Sequence, residues 1–320
     1  MLQIGTAGAK AYNEAYLLTP QQAKAYREGD IHIHDFDFYS LTTTCTQIDI
    51  VNLFDGGFST GHGFLREPQS IQSYAALAAI AIQSNQNDQH GGQSIPNFDY
   101  GMALGVAKTF RKAYTNKLTE GLEDFLDTED EKDNVTKILA DVKEATGMSP
   151  RLETDAEKFD AAVSEQITKK YNIPQEKAAH LVEVARRRAN RKADRDTYQA
   201  MEGFVHNLNT MHSRAGAQTP FSSINYGTDT TPEGRMVIRN ILLATDAGLG
   251  HGETCIFPIH VFKVKEGVNY NEGDPNYDLF KLSCKVSAKR LFPNYIFLDA
   301  PFNLQYYKPG RPETEVATMG

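Results

Sequence analysis

Three short strand-like runs, "QTPFSSINYG", "CIFPIHVFKV" and "NYIFLDAPFN", follow one another late in the chain, with amphipathic helical segments between them. The separators are "TPEGRMVIRNILLATDAG" and "DPNYDLFKLSCKVSAKRLF". A strand joined to the next through a whole helix re-enters the sheet in the same direction, whereas a tight turn reverses it. The alternation therefore predicts an α/β layer built on a parallel sheet.

The earlier sequence adds helices and a break in that pattern. "TPQQAKAYREGD" places Thr19 as a cap, Pro20 at the first helical position and Gly29 near the stop. "IHIHDFDFYS" alternates with period two and reads as a strand with one buried face, and "TQIDIVNLF" reads as a second strand ended by "DGG". Residues 70–84 form a helix apolar nearly all round, which belongs inside a protein, and "HGGQSIPNFD" breaks it. Long helices are predicted from Tyr100 to about Leu126 and from Pro174 to about Arg214. In the second, Tyr198, Met201, Val205, Leu208 and Met211 form an apolar stripe. Residues 127–160 are acidic and polar and read as a short helix and loops at a tip. The expectation is one α/β domain interrupted by a helical hairpin.

Composition narrows the function classes. The chain is 40% hydrophobic and 23% charged, with a net charge of -8. That balance argues against a nucleic-acid or membrane-surface binder without excluding a local basic patch. "YAALAAIAI" is too short to cross a bilayer. Cys45, Cys255 and Cys284 cannot all pair and lack CxxC spacing, so a reduced, cytoplasmic protein is expected. Cys255 on a strand and Cys284 on a helix face are read as packing residues.

Four stretches could carry chemistry. On a strand, His32 and His34 share a face and Asp35 and Asp37 take the other. They could hold a metal with Cys45 and Asp35, or merely orient strand and loop by hydrogen bonds. "SNQNDQHGGQS" gathers amides around Gly91 and Gly92, where the backbone can approach a ligand closely or simply turn. "GFSTGHGFLREP" could cradle an anion around His62 or be an ordinary glycine-rich loop. "ARRRANRKADR" is either a solvated face or, where two such helices meet, a site for a nucleotide triphosphate.

Five blocks kept in order, "GDIHIHDFDFYSLTTTCTQIDI", "GFSTGHGFLREPQSI", "NQNDQHGGQSIPNFDYGMA", "RAGAQTPFSSINYG" and "FLDAPFNLQYYKPGRPETEVATMG", closely resemble the anaerobic, class III ribonucleoside-triphosphate reductases. The resemblance implies the N-terminal half of a ten-stranded glycyl-radical-enzyme α/β barrel, with an inserted helical hairpin. Residues 1–99 would be the first part of the half-barrel, 100–215 the dimer and effector hairpin, and 216–320 the second part. It implies anaerobic supply of deoxynucleotides for DNA replication. A glycyl radical passes the unpaired electron to a cysteine, which takes the C3′ hydrogen of a ribonucleoside triphosphate. The 2′-hydroxyl leaves as water, and formate supplies the reducing equivalents.

Carried over residue by residue, Cys45 would be the catalytic cysteine opposite the radical cysteine. His32, His34 and Asn225 would line the substrate pocket. Arg187, Arg191 and Arg195 would lie near the phosphates of a dNTP or ATP effector bound with magnesium. No metal ligand is expected in this chain. Homodimerisation and a radical-SAM activating enzyme are implied partners. In the family, "ATMG" is followed at once by the radical cysteine on a finger loop, whereas this chain ends at Gly320. The C-terminal half-barrel, its four-cysteine zinc site and the radical glycine are also missing, as is an N-terminal ATP cone. The expectation is therefore a split, interrupted or partial reductase, inactive alone. The competing expectation is a non-catalytic deoxynucleotide-binding remnant that dimerises. A formate-lyase relative would pair two adjacent cysteines on its finger loop and nothing in this sequence has that form, and a metal hydrolase on "HIHD" is the outsider.

Overall fold

The computed structural model describes residues 2–39, 43–152, 156–214 and 217–319. Ser40 at the end of the first expected strand, Leu41 and Thr42 after it, Ala215 and Gly216 at the expected boundary, and Gly320 lie outside the described residues.

Two helices, α1 (Leu2–Tyr16) and α2 (Pro20–Glu28), come first. The Thr19 hydroxyl accepts from the Gln22 N–H, and Gly29 closes α2 in the left-handed region, as the sequence predicts. "IHIHDFDFYS" is not a strand. Asp35 takes φ 49° and a 3₁₀ turn follows over Phe36–Phe38. Phe36 is buried with Leu18 and Ala23, and its carbonyl accepts from the Asn13 amide at 2.6 Å. The period-two pattern comes from aromatic residues packing on two sides of a turn.

The next run splits. β1 (Thr44–Gln47) ends before Asp49, whose carboxylate accepts from the Val51 and Asn52 N–H groups and starts α3 (Ile50–Phe54). β2 (Phe58–Ser59) and β3 (Phe64–Leu65) form a small antiparallel ribbon, with His62 exposed at its turn. The apolar helix α4 (Ile71–Asn85) is buried as expected through Ile71, Tyr74, Ala78 and Ile82. "HGGQSI", read as a breaker, is instead the interior strand β4 (His90–Ile95).

The long helices are α5 (Phe98–Leu126) and α8 (Gln175–Thr210). Between them stand two full helices, α6 (Lys132–Thr146) and α7 (Ala156–Tyr171), rather than one short helix and loops. Met211 lies past the end of α8 and is exposed, so the apolar stripe closes at Leu208. Then β5 (Ser222–Tyr226), α9 (Pro232–Ala247), β6 (Ile259–Val264), α10 (Tyr277–Arg290) and β7 (Asn294–Phe297) deliver the expected alternation, followed by the short α11 (Pro301–Leu304). The result is a five-stranded parallel sheet in the order β1-β4-β5-β6-β7.

Side-chain alternation gives this sheet two unlike faces. Ile95, Ile224, Tyr226, Phe262 and Val264 join the helices in one large core. Ser94, Ser223, Asn225 and Lys263 point to the opposite face. A second core lies away from the sheet, where Phe110, Tyr114 and Leu118 of α5 meet Val182, Ala185 and Ala189 of α8 and residues of α6 and α7. Both long helices serve both cores: Met102 and Val106 of α5, and Met201 and Phe204 of α8, belong to the sheet-side core. Cys255 is buried as expected but sits ahead of β6, and Cys284 faces solvent instead of packing.

Candidate active site

The sheet face turned away from the helices is polar and is crossed by the last described residues. Residues 315–319 form a strap over β1, β4, β5 and β6. Asn225 on β5 grips the strap at Thr318. Its amide oxygen accepts the Thr318 N–H at 3.0 Å, and its amide nitrogen donates to the Thr318 carbonyl at 2.9 Å. Ser94 on β4 donates to the same carbonyl at 3.2 Å and accepts from Asn225 at 2.8 Å. The Gln47 amide on β1 donates to the Ala317 carbonyl at 3.3 Å. Asn225, expected to contact substrate, thus spends its amide on the strap. The Ser223 hydroxyl, buried near this grip, has no protein partner.

Cys45 stands at the rim of this face, on the edge strand β1. Pairing with β4 slips between Thr44 and Thr46, so Cys45 occupies an irregularity, and its φ is 53°. Such a bulge re-aims a side chain at the cost of backbone strain. The adjacent Gly91 has φ 87°, and a β-carbon there would lie 2.8 Å from Cys45 Sγ. A β-carbon on Gly92 would meet Phe221 at 3.0 Å and Met319 Sδ at 3.4 Å. The glycine pair is therefore where sheet backbone admits two sulfur-bearing side chains. The thiol is free and exposed.

A buried ionic cluster anchors the strap. The Glu315 carboxylate, 3% exposed, accepts from the Thr228 hydroxyl at 2.7 Å and pairs with Lys263 at 3.4 Å and Lys265 at 3.3 Å. Lys263 is itself only 1% exposed. Deleting one partner of such a buried pair typically costs about 3–5 kcal/mol, because the other charge is stranded. Burial works against the Lys265 charge. The Tyr307 hydroxyl and Glu315 outweigh it and hold its pKa above the ordinary lysine value.

Beneath the cluster, Asp99 at the start of α5 accepts N–H bonds from Gly227, Thr228 and Asp229 at 2.8–3.1 Å. Burial pushes its carboxyl up, against the pull of Lys263 and those N–H donors. Burial and the neighbouring Asp99 push Asp229 up to about 7. Gly234 leaves room for that carboxylate, since a β-carbon there would lie 2.1 Å from Asp229 Cγ.

The predicted histidines lie near His90, the first residue of β4, which pairs with Thr44. His32 and His34 lie in the turn before β1, ring centroids 6.0 Å apart, and His34 is largely exposed. Asp35 stands between His34 at 3.6 Å and His90 at 4.0 Å, while Phe38 stacks on His90 at 4.5 Å. Among the described residues no three His, Cys, Asp or Glu side chains are placed to share a metal ion. His90 belongs to "SNQNDQHGGQS", where nothing in the sequence sets it apart from the surrounding amides. Ser94, Lys263 and Glu315 have no sequence signature, because each is an ordinary strand or loop residue apart from its contact with or place on the strap.

The arginine-rich turns separate. Arg191 and Arg195 line a groove of about 450 Å³ with Lys117, Arg188 and Lys192, all basic. Arg187 instead faces solvent and pairs with Glu183 at 3.7 Å. Arg186 turns inward to Asp160 and stacks against Phe110 and Tyr114. No described helix is long and apolar enough to cross a membrane.

The family model for anaerobic ribonucleoside-triphosphate reductase matches residues 1–320. The chain belongs to that family. It is 26% identical over 294 residues to the anaerobic ribonucleoside-triphosphate reductase of Escherichia coli K12, covering 91% of this chain and 33% of that protein. It is 29% identical over 276 residues to the enzyme of the same name from Enterobacteria phage T4, covering 85% and 36%. The chain thus spans about a third of the length of these reductases. Its fold is similar to the anaerobic ribonucleotide reductase of Thermotoga maritima, solved in complex with dATP and CTP, with a TM-score of 0.53 at 11% identity. That similarity covers 93% of this chain and 42% of the Thermotoga reductase.

Proposed function

We propose that this chain supplies one wall of the active site of an anaerobic ribonucleoside-triphosphate reductase, its sheet being one half of a ten-stranded barrel. The observation that carries the reading is the strap held across the polar sheet face, with the Cys45 thiol at the rim of that face. A thiyl radical formed next to the strap would take the C3′ hydrogen of a ribonucleoside triphosphate lying on this face. Loss of the 2′-hydroxyl as water then leaves a radical that accepts a hydrogen atom from Cys45. Formate, oxidised to carbon dioxide, would provide the two electrons of the net reduction.

The glycyl radical, its zinc site and the opposite half-barrel would come from the part of the protein beyond this chain, with a radical-SAM enzyme installing the radical. The Lys117–Arg195 groove would take the phosphates of a dNTP or ATP effector with magnesium, and α5 and α8 would form a homodimer contact. This groove is built wholly from this chain, which supports the second reading, a deoxynucleotide-binding remnant.

The test is anaerobic activation of the protein encoded by the complete reading frame, followed by chromatographic measurement of dCTP formed from CTP with formate. Turnover that disappears in Cys45→Ser while the glycyl-radical signal persists supports the reductase. Wild-type turnover in Cys45→Ser would sink the role of Cys45. Nucleotide binding with no radical and no turnover would favour the remnant.

A further inference from the structure

We infer that Glu315 is the positioning residue of the strap, gripped by Lys263 and Lys265 so that Thr318 arrives in register with Asn225 and Ser94. The inference deepens the reductase reading and rests on it for its catalytic consequence.

Lys265 holds the strap segment at two points. Its ammonium lies 3.9 Å from the Tyr307 ring centroid and 3.3 Å from Glu315. Between those points the chain doubles back through a bridge from Lys308 to Arg311, and the Thr314 hydroxyl accepts from the Lys308 N–H at 2.9 Å. The direction in which the strap leaves this turn is therefore set at Glu315. From there only Val316 and Ala317 precede Thr318, where Asn225 receives both backbone groups. A residue adds at most ~3.6 Å of reach, so so short a link cannot absorb a slip at Glu315.

The charges fit this role. Lys263 and Lys265 face Glu315, and Asp99 acts on Lys263 from the α5 side. Two cations thus meet two carboxylates, with Lys263, Glu315 and Asp99 buried and Lys265 half-buried. Neutralising Glu315 leaves two ammonium groups, one fully buried, against Asp99 alone. The strap then loses its anchor at the point where its course is decided.

The test is amide hydrogen exchange of the full-length protein, read by mass spectrometry over residues 307–319. Glu315→Gln is expected to speed exchange of residues 316–319 by about tenfold or more, the scale of one charged hydrogen bond. Glu315→Asp keeps the charge and is expected to restore part of the protection. Lys265→Met, at a half-buried position, is expected to loosen 307–319 without disturbing α9, and it carries the test if Glu315→Gln does not fold. Strap exchange unchanged in both variants, or raised equally throughout the sheet, overturns the inference. In turnover, kcat is expected to fall while KM for the ribonucleotide holds. If the wild-type protein never reduces a ribonucleotide, the reductase reading fails, and the exchange data still decide the anchor.

Discussion

The Cys45 thiol occupies the space that a side chain at Gly91 would need, the two lying side by side where the β1–β4 pairing slips. Gly91 also has φ 87°, a conformation that side chains resist. Gly91→Ala is expected to destabilise the protein by about 1–3 kcal/mol and to push the thiol outward. Urea denaturation reads the first effect. Faster alkylation of Cys45 by iodoacetamide, with Cys284 as the internal reference, reads the second. An alanine variant equal to wild type in both would mean that the close approach is not maintained in solution.

Asp229 and His260 give the fold two opposed pH dependences. Asp229 has its pKa raised to about 7 in the folded chain, against ~3.9 unfolded. Between about pH 4 and 7 the unfolded chain has released this proton and the folded chain has kept it, so stability falls by up to ~1.4 kcal/mol per unit as pH rises. Burial lowers His260 to about 3, and there the unfolded chain holds the extra proton up to ~6.5, so stability rises with pH. The Tyr226 hydroxyl at 3.0 Å from Nδ1 suits this neutral imidazole. The two slopes offset each other from about pH 4 to 6.5. Asp229→Asn is expected to gain stability over wild type progressively from pH 4 to 7 and then hold that gain. His260→Gln is expected to expose the falling slope. Denaturation midpoints across pH 4.5–8 check both, and an Asp229→Asn curve parallel to wild type would rule out the raised carboxyl.

Gly105 of α5 lies against Tyr74 of α4: a β-carbon would come within 2.8 Å of the ring and 3.1 Å of the Ile71 Cα. Alanine is the better helix former by ~1 kcal/mol, so propensity alone predicts a gain from Gly105→Ala. Overpacking of a buried helix contact typically costs about 1–3 kcal/mol and is expected to win. A variant more stable than wild type in chemical denaturation would show that α4 can move aside.

The basic groove makes a salt-dependent prediction. Arg191→Ala together with Arg195→Ala is expected to weaken dATP binding by about tenfold or more at low salt, with the gap narrowing as salt is added. Arg187→Ala is expected to have little effect, because Arg187 lies outside the groove and pairs with Glu183. Isothermal titration of the full-length protein at two ionic strengths distinguishes the three. Equal losses from Arg187 and the groove pair would count against the groove as the phosphate site.

The parallel sheet, both long helices and the cap at Thr19 were legible because each rests on a local pattern: helix–strand alternation, an apolar stripe, a capping box. The failures share a cause as well. β4 looked like a breaker because Gly91 and Gly92 are there to admit Cys45 and Met319, contacts about fifty and over two hundred residues away in sequence. "IHIHDFDFYS" looked like a strand because Phe36 and Phe38 meet different partners, α2 and His90. Cys45 came from the family resemblance, since its bulge has no signature in the sequence itself. Glu315 has none either: a glutamate in a loop becomes an anchor only when Lys263 is buried above it.

Both long helices pass from the core under the sheet to the core at the tip, and neither contains a proline. At 1.5 Å per residue the 36 residues of α8 make a rod about 54 Å long, with the basic groove near its middle. At one end of α5, Asp99 holds the N–H groups of Gly227, Thr228 and Asp229, and the Thr228 hydroxyl donates in turn to Glu315 on the strap. The rod that braces the tip thus ends, at Asp99, one hydrogen-bonded loop away from the strap.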